Sequence, residues 1–277
     1  MTATEYSWNV FRYVGDYLHL FSILVVIGTL AKNRHCRGLS FKTQLFYLII
    51  FCTRYLDMFT MGSHGSHSGY LYAFKIFYIV SAAAIVFTMR RWAATIETNK
   101  DTCSYLFVIG PCLIAAMVSI LTSSTKSATL FFWMFSEFLE AFAMLPQYIF
   151  TYRQDAENKR ADNGVFVFIC LVGSYRVLYA INWIYKKIML GSAYTDTVSW
   201  IGGVIEILLF ADFMLNREFL KLVVLTVDSK INELTSAIEL NVLRKNQGPL
   251  GSLSPSGVRN RKTTTLDNEE DEAMLMI

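Results

Sequence analysis

The stretch IIFCTRYLDMF, residues 49–59, decides the fold class of this chain. It begins as an apolar run and then carries Arg54 and Asp57, with Tyr55 between them. Charged side chains at membrane depth are costly, so they generally face the interior of a helical bundle and mark function. The stretch therefore predicts a membrane helix whose charges bind a ligand, pair with each other, or pair with acids on neighbouring helices.

The composition places this helix in a polytopic membrane protein. Of the 277 residues, 54% are hydrophobic and only 17% are charged, a balance that fits membrane spans better than a soluble domain. A membrane-spanning helix needs about 20 mainly apolar residues. On that criterion the sequence predicts an all-α membrane protein with seven transmembrane helices, at 9–30, 41–60, 70–89, 104–121, 129–150, 164–185 and 197–215.

The distribution of basic residues predicts the orientation. The loop at 32–42 carries four Lys and Arg residues, and the loops at 90–103 and 151–163 carry three each, whereas the loop at 61–69 carries none. By the positive-inside rule the odd-numbered loops and the C-terminus are cytosolic, and the N-terminus is luminal or extracellular. The predicted parts of the chain are a membrane domain at 1–216, a cytosolic amphipathic segment at 217–245 and a disordered cytosolic tail at 246–277.

The chain also shows an internal repeat. An offset of 122 residues lays the first three predicted helices over the last three, and it aligns Arg54 with Arg176. Both triplets run in the same direction, with the fourth helix as a linker. This pattern predicts a SWEET-like or PQ-loop-like fold, in which a parallel repeat of two three-helix bundles holds a ligand between the repeats.

Ionisable residues in the predicted helices indicate a binding cavity. Arg12, Asp16 and His19 lie on one face of the first helix. The predicted topology places basic residues in the luminal half of the bundle and acidic residues deeper. Because arginine binds a carboxylate through two parallel hydrogen bonds, this arrangement favours an anionic ligand that enters from the lumen. Instead of binding a ligand, the charged residues could form structural ion pairs. Instead of a functional residue, His19 could be a core residue whose hydrogen bonds are satisfied within the bundle. The other ionisable residues considered are Arg54, Asp57, Glu137, Glu140, Arg176, Glu206 and Asp212.

The sequence does not indicate other chemistry. No constellation of nucleophile and base predicts an enzyme, and His64 and His67 in one loop are weak evidence for a metal site. No cofactor is predicted. The net charge of +3 lies mostly on the predicted cytosolic side, so it reflects topology and not nucleic-acid binding.

Six motifs together resemble the KDEL receptors, which return escaped residents of the endoplasmic reticulum (ER) from the Golgi. The resemblance covers residues 9 to about 216 and implies a seven-helix SWEET-like fold with a luminal N-terminus. It implies binding of the C-terminal tetrapeptide of soluble ER proteins, tightly at mildly acidic Golgi pH and weakly near neutral pH. A retrograde vesicle coat on the cytosolic face and the membrane lipid are the further partners. The motifs are FRYVGDYLHL (11–20), CRGLSFKTQ (36–44), TRYLDMF (53–59), FLEAFAMLPQ (138–147), SYRVLYAINWIY (174–185) and DFM (212–214).

The resemblance implies a pH sensor. His19 matches the position of the sensing histidine, and Glu140 and Tyr175 match the network coupled to it beneath the site. An unperturbed histidine has a pKa near ~6.5, so mild acidification between compartments can charge it. If ligand binding favours the charged form, affinity rises as the pH falls.

The resemblance also implies roles for the residues that hold the signal. Arg54 matches the clamp on the terminal carboxylate, and Asp57 matches the group that selects the first residue of the signal. Arg12 and Arg176 match partners of the signal's carboxylates and backbone. The remaining implied contacts are the pocket walls Tyr55, Tyr179 and Trp183, and Asp196 at the luminal mouth.

The chain departs from the family's pattern near the predicted mouth of the pocket. Leu130 stands where relatives usually have Glu, Lys186 stands where they usually have Arg, and Met61 replaces a polar residue. These departures leave the preferred tetrapeptide open. Two alternatives to the receptor also stay open: a SWEET-like carrier of small solutes, and a homologue that keeps the fold without binding a signal.

Overall fold

The computed structural model describes residues 9–56, 58, 68–157, 162–191, 196–215, 217–226, 229–230 and 233. Within these ranges the regular structure is helical and contains no β-strand, as the all-α prediction requires. The helices are α1 (Val10–Asn33), α2 (Phe41–Arg54), α3 (Ser68–Arg91), α4 (Tyr105–Thr122), α5 (Ala128–Ala143), α6 (Leu145–Ala156), α7 (Asn163–Leu190) and α8 (Thr197–Leu215). A short 3₁₀ turn at Ala93–Thr95 precedes α4.

The helices confirm a multi-pass membrane protein. In the described part of the chain, six helical segments are long and apolar enough to cross a membrane, and each coincides with a predicted span. The predicted span at 41–60 is occupied by α2, which has 14 residues and ends at Arg54. At about 1.5 Å per residue α2 is roughly 21 Å long. The six segments are Val10–Asn33, Gly69–Arg91, Tyr105–Thr122, Ala128–Ala156, Asn163–Leu190 and Thr197–Leu215.

Polar side chains set the starts of several helices. Asn9 accepts a hydrogen bond from the backbone N–H of Arg12 at 3.2 Å, which caps α1. Ser40 caps α2 in the same way through the N–H of Thr43, also at 3.2 Å. These contacts satisfy N–H groups that have no partner within the helix. The capped N-terminus of α1 fixes the start of the helix, one turn or more before the face that carries Asp16 and His19.

A buried carboxylate reinforces the start of α2. Asp101 accepts hydrogen bonds from the Ser40 hydroxyl at 2.9 Å and from the backbone N–H of Lys42 at 3.1 Å. The Lys42 ammonium in turn donates to the backbone carbonyl of Asp101, and to that of Cys103 at 2.7 Å. Burial raises the pKa of the Asp101 carboxyl above its ordinary value. The loop before α4 is therefore fastened to the beginning of α2.

The helix pairing joins the two predicted halves of the chain. α1 packs along α7, and α2 packs against α5, so helices of the first predicted triplet lie beside helices of the second. Gly15 permits the first of these contacts, because a Cβ atom there would lie 2.8 Å from the ring of Tyr179. Because α1 and α7 approach closely, polar side chains from the two predicted halves of the chain lie next to each other.

The structure describes only part of the predicted segment 217–245. Residues 218–226 are helical, and Leu220 and Val224 are buried in the same apolar cluster as the membrane helices. Asp212 accepts hydrogen bonds from the backbone N–H groups of Phe219 and Leu220 at 3.1 and 3.0 Å, which joins this helical segment to the end of α8. The predicted disordered tail at 246–277 lies outside the described residues, so it stays a prediction.

Candidate functional site

A polar cavity of about 280 Å³ lies between the helices of the two predicted halves. Its size is close to the lower limit of pockets that bind small ligands, roughly 300 Å³. Its wall combines basic, acidic and aromatic side chains, so the cavity is unlike the apolar core around it. The lining residues are Arg12, Asp16, His19, Phe51, Arg54, Tyr55, Tyr70, Leu71, Phe74, Lys75, Tyr78, Trp133, Glu137, Glu140, Tyr175, Arg176, Tyr179 and Trp183.

A network of two arginines and three glutamates forms the floor of the cavity. Arg54, at the end of α2, pairs with Glu140 at 2.7 Å and with Glu137 at 3.1 Å, both on α5. Arg176, on α7, pairs with Glu140 at 2.5 Å and with Glu206 on α8. Glu140 is therefore shared by both guanidinium groups. Such pairing is what makes buried charge tolerable, because each ion replaces lost hydration with an opposite charge.

An aromatic stack connects this network to a buried histidine. The hydroxyl of Tyr175 donates a hydrogen bond to Glu140 at 2.7 Å. The ring of His19 lies parallel to that of Tyr175, with centroids 4.3 Å apart, and it also contacts the ring of Tyr78 at 4.9 Å. The three residues expected to sense pH, which are His19, Glu140 and Tyr175, thus form one continuous contact.

The N-terminal end of α1 forms another part of the cavity wall. Asp16 accepts hydrogen bonds from the hydroxyl groups of Tyr179 on α7 and of Tyr70 on α3, the latter at 3.0 Å. Arg12 lies one turn before Asp16 on the same face of α1. Asp16 therefore joins α1, α3 and α7, while Arg12 adds a cation to the lining.

Aromatic side chains surround the second arginine. Trp183 lies one turn after Tyr179 on α7, and its ring centroid is 5.9 Å from the guanidinium carbon of Arg176. Tyr179 and Trp183 themselves meet edge to face at 6.4 Å. A planar cation held against aromatic faces keeps a defined orientation. Tyr179, Trp183 and Arg176 therefore form one aromatic part of the cavity wall with a cation beside it.

Six of the eight residues expected to bind a signal line the cavity: Arg12, Arg54, Tyr55, Arg176, Tyr179 and Trp183. Asp57 and Met61 lie outside the described residues. Asp196 is not among the lining residues; its side chain instead accepts a hydrogen bond from the backbone N–H of Ser199 at 3.3 Å, at the start of α8. Leu130 lies in the first turn of α5 and does not line the cavity either.

Arg54 forms ion pairs that match one of the alternatives that the sequence left open, which is pairing with acids on neighbouring helices. Its partners in the described part of the chain include acids on a neighbouring helix, Glu137 and Glu140. Pairing of Arg54 with Asp57 is not tested, because that residue lies outside the described ranges. Arg54 keeps 16% of its side chain exposed, so ion pairing and access from the cavity coexist.

Comparison with known proteins identifies the family. Residues 35–186 match the family model described as ER lumen protein retaining receptor. An ER lumen protein-retaining receptor of Petunia hybrida is 36% identical over 208 residues, which cover 74% of this chain and 91% of that protein. The chain belongs to the ER lumen protein-retaining receptor family. That family consists of retention receptors and not of enzymes.

Relatives from distant organisms support the same membership. The receptor of Plasmodium falciparum is 34% identical over 209 residues, covering 74% of this chain and 90% of that protein. The receptor of Drosophila melanogaster is 32% identical over 206 residues, covering 74% and 91%. The region that matches the retention-receptor family model contains Arg54, Glu140 and Arg176, whereas Arg12 and His19 precede it.

The structure adds residues to this retention-receptor cavity that the sequence analysis missed. Lys75 on α3 lines it, with its ammonium 5.6 Å from the ring centroid of Tyr55. A lone lysine in an otherwise apolar helix was the signal that could have revealed it. Tyr70 and Tyr78 gave no comparable signal, because tyrosine is common in membrane helices and its direction depends on how the helix is rotated.

Proposed function

We propose that this chain is a pH-dependent cargo receptor for KDEL-like signals at the C-termini of soluble ER proteins. It binds them in the Golgi and returns them to the ER by retrograde vesicle transport. The observation that carries the proposal is the convergence of Arg12, Arg54 and Arg176 on one cavity in a chain of the retention-receptor family. Cations at several levels of a cavity suit a peptide that presents carboxylates and backbone carbonyls.

A short extended peptide lies along the polar face of α1 in this proposal. Arg12 and His19 are separated by two helical turns, or about 10 Å along α1 at 1.5 Å per residue. An extended tetrapeptide spans roughly 13 Å. The terminal carboxylate reaches Arg54 at the floor, with Arg176 beside it, while Arg12 holds carboxylates and backbone nearer the N-terminal end of α1. Tyr55, Tyr179 and Trp183 form walls, and the proposal keeps Asp57 and Asp196 as contacts near the first signal residue.

His19 supplies the pH dependence in this proposal. The charged and titratable groups around His19 come from four other helices. They are Tyr47 and Arg54 on α2, Tyr78 on α3, Glu140 on α5, and Tyr175 and Arg176 on α7. A proton on His19 places a positive charge beside a network that already contains three carboxylates. That charge favours an added carboxylate, so signal binding strengthens as the pH falls.

The remaining parts of the proposal concern location. The receptor resides in ER and Golgi membranes with its N-terminus in the lumen, so the end of the cavity near Arg12 opens to the lumen. The loop fastened to α2 and the segment 217–245 then face the cytosol, where a retrograde vesicle coat contacts the receptor. The basic loop at 32–42 supports this orientation through the positive-inside rule.

Peptide binding to the purified full chain tests the proposal. Peptides ending in Glu-Leu are measured at about pH 6 and about pH 7.5, beside the same peptides with an amidated C-terminus. The proposal expects tight binding of the free acid at the lower pH, weaker binding at the higher pH, and no binding of the amide. Arg54→Ala should abolish binding, and His19→Ala should remove the dependence on pH.

A matched control uses an arginine far from the cavity. Arg37 is exposed in the loop before α2, so Arg37→Ala removes the same charge and should leave binding unchanged. Equal loss in both arginine variants would contradict a specific clamp. If no free-acid peptide binds the unmodified chain, a transport assay in proteoliposomes would test the small-solute carrier instead.

A further inference from the structure

Helix α5 surrounds the guanidinium group of Arg54 with three partners. The Nε atom of Arg54 donates to the Ser136 hydroxyl at 3.1 Å, one terminal nitrogen pairs with Glu140 at 2.7 Å, and the other pairs with Glu137 at 3.1 Å. All three nitrogen atoms of the proposed carboxylate clamp therefore lie against groups of α5, but the nitrogen that faces Glu137 makes an ion-pair contact without a hydrogen bond. A ligand carboxylate that approaches Arg54 meets two carboxylates of the protein at the same group.

The two glutamates are held very differently. Glu140 also pairs with Arg176 and accepts the hydrogen bond of Tyr175, and only 2% of its side chain is exposed. Glu137 lines the cavity, leaves 10% of its side chain exposed, and has Arg54 as its ion-pair partner among the described residues. Displacing Glu140 would take a partner from two buried guanidinium groups at once, whereas displacing Glu137 affects only Arg54, which keeps Glu140 and Ser136. Glu137 is therefore the partner that a ligand can replace.

The charge balance points the same way. Arg54 and Arg176 carry two positive charges, and Glu137, Glu140 and Glu206 carry up to three negative ones. A ligand carboxylate added beside all three would increase the excess of negative charge in a buried network, where like charges repel strongly. Movement of Glu137 away from the guanidinium relieves that repulsion and makes room for the ligand carboxylate.

We infer that Glu137 is a built-in competitor for the ligand's terminal carboxylate: it occupies the cavity side of Arg54 and must leave when a signal binds. The inference rests on the proposed function, because it takes Arg54 as the clamp. If Glu137 competes in this way, it sets the affinity for the signal. The signal must also carry a free terminal carboxylate, because a neutral C-terminus cannot replace an ion pair. In the unliganded receptor the same ion pair offsets part of the charge of the buried guanidinium.

Binding of a free-acid peptide ending in Glu-Leu to Glu137→Gln, at about pH 6, tests this inference. Gln keeps the size of the side chain but loses the charge, so the peptide should bind about tenfold more tightly than to the unmodified chain. The amidated peptide should show no comparable gain. In an Arg54→Ala background, Glu137→Gln should give no gain, because the group for which the two carboxylates compete is missing.

Glu206→Gln serves as the matched control. It removes one carboxylate from the same network, but that carboxylate pairs with Arg176 and not with Arg54. A general effect of negative charge would tighten binding similarly in both variants, whereas competition at Arg54 predicts the larger gain for Glu137→Gln. If Glu137→Gln does not fold, Glu137→Asp retains the charge on a shorter side chain and should give an intermediate gain.

The outcomes separate this inference from the proposed function. Binding to the unmodified chain, with unchanged or weaker binding to folded Glu137→Gln, would overturn the competitor and leave the receptor intact. An equal gain in Glu206→Gln, or a gain that persists without Arg54, would also overturn it. Absence of binding in every variant would reject the proposed function itself, and the competitor with it.

Discussion

Glu140 should be the side chain on which the stability of the cavity depends most. It lies between Arg54 at 2.7 Å and Arg176 at 2.5 Å, and it accepts the Tyr175 hydroxyl at 2.7 Å. Glu140→Gln keeps the shape and one acceptor oxygen but removes the charge shared by both guanidinium groups. Loss of one partner from a buried ion pair generally costs about 3–5 kcal/mol. Because Arg54 keeps Glu137 and Arg176 keeps Glu206, we expect a loss of about 3 kcal/mol in the free energy of unfolding.

Glu137→Gln is the matched comparison for that measurement. It removes the same charge from the same helix, but Arg54 then keeps Glu140 and Ser136 as partners, so the expected loss is only about 1 kcal/mol. Unfolding of both purified variants in the same detergent, by heat or denaturant, gives the comparison. Equal destabilisation, or a greater loss in Glu137→Gln, would refute the assignment of Glu140 as the shared anchor.

Three further predictions concern other parts of the chain. Gly15→Ala should lower stability by about 1–3 kcal/mol, measured by thermal unfolding, because its Cβ would lie 2.8 Å from the Tyr179 ring. Asp101→Ala should cost about 1 kcal/mol through the lost cap on α2. Burial raises the Asp101 pKa above 3.8, so the folded chain binds that proton more tightly than the unfolded chain does. The contribution of Asp101 to stability therefore falls as the pH rises through the raised pKa. The stability deficit of Asp101→Ala should accordingly shrink between acidic and neutral pH. Truncation after residue 245 should leave peptide binding unchanged in the assay above, and lost binding would contradict the predicted division of the chain.

The hydrophobic pattern was sufficient to locate the membrane helices but not their breaks. Six predicted spans coincide with helices because about 20 apolar residues in a row leave few alternatives. The predicted span at 129–150 contains the junction of α5 and α6, where Pro146 in the first turn of α6 cannot donate a backbone hydrogen bond. Average hydropathy does not register such a break, because proline and its neighbours leave the segment apolar.

The sequence identified most of the charged residues of the site but not how they pair. The sequence left two kinds of partner open for Arg54, Asp57 nearby in the chain or acids on neighbouring helices, and the partners seen among the described residues come from α5. Which acid reaches it depends on the rotation and depth of two helices more than 80 residues apart in sequence. Lys75 was missed because its position on α3 faces the cavity only once that rotation is known.

The pairing in the floor of the cavity explains why signal binding and proton binding belong together in the proposed receptor. Both arginines that face the ligand are neutralised by Glu140 and its neighbours before a ligand arrives. A further carboxylate therefore gains little unless an acid withdraws or a proton is added nearby. Glu137 provides the first route and His19, stacked on Tyr175 above Glu140, provides the second. Arginines without internal partners would bind carboxylates at any pH, so we propose that the internal acids promote release of the signal near neutral pH.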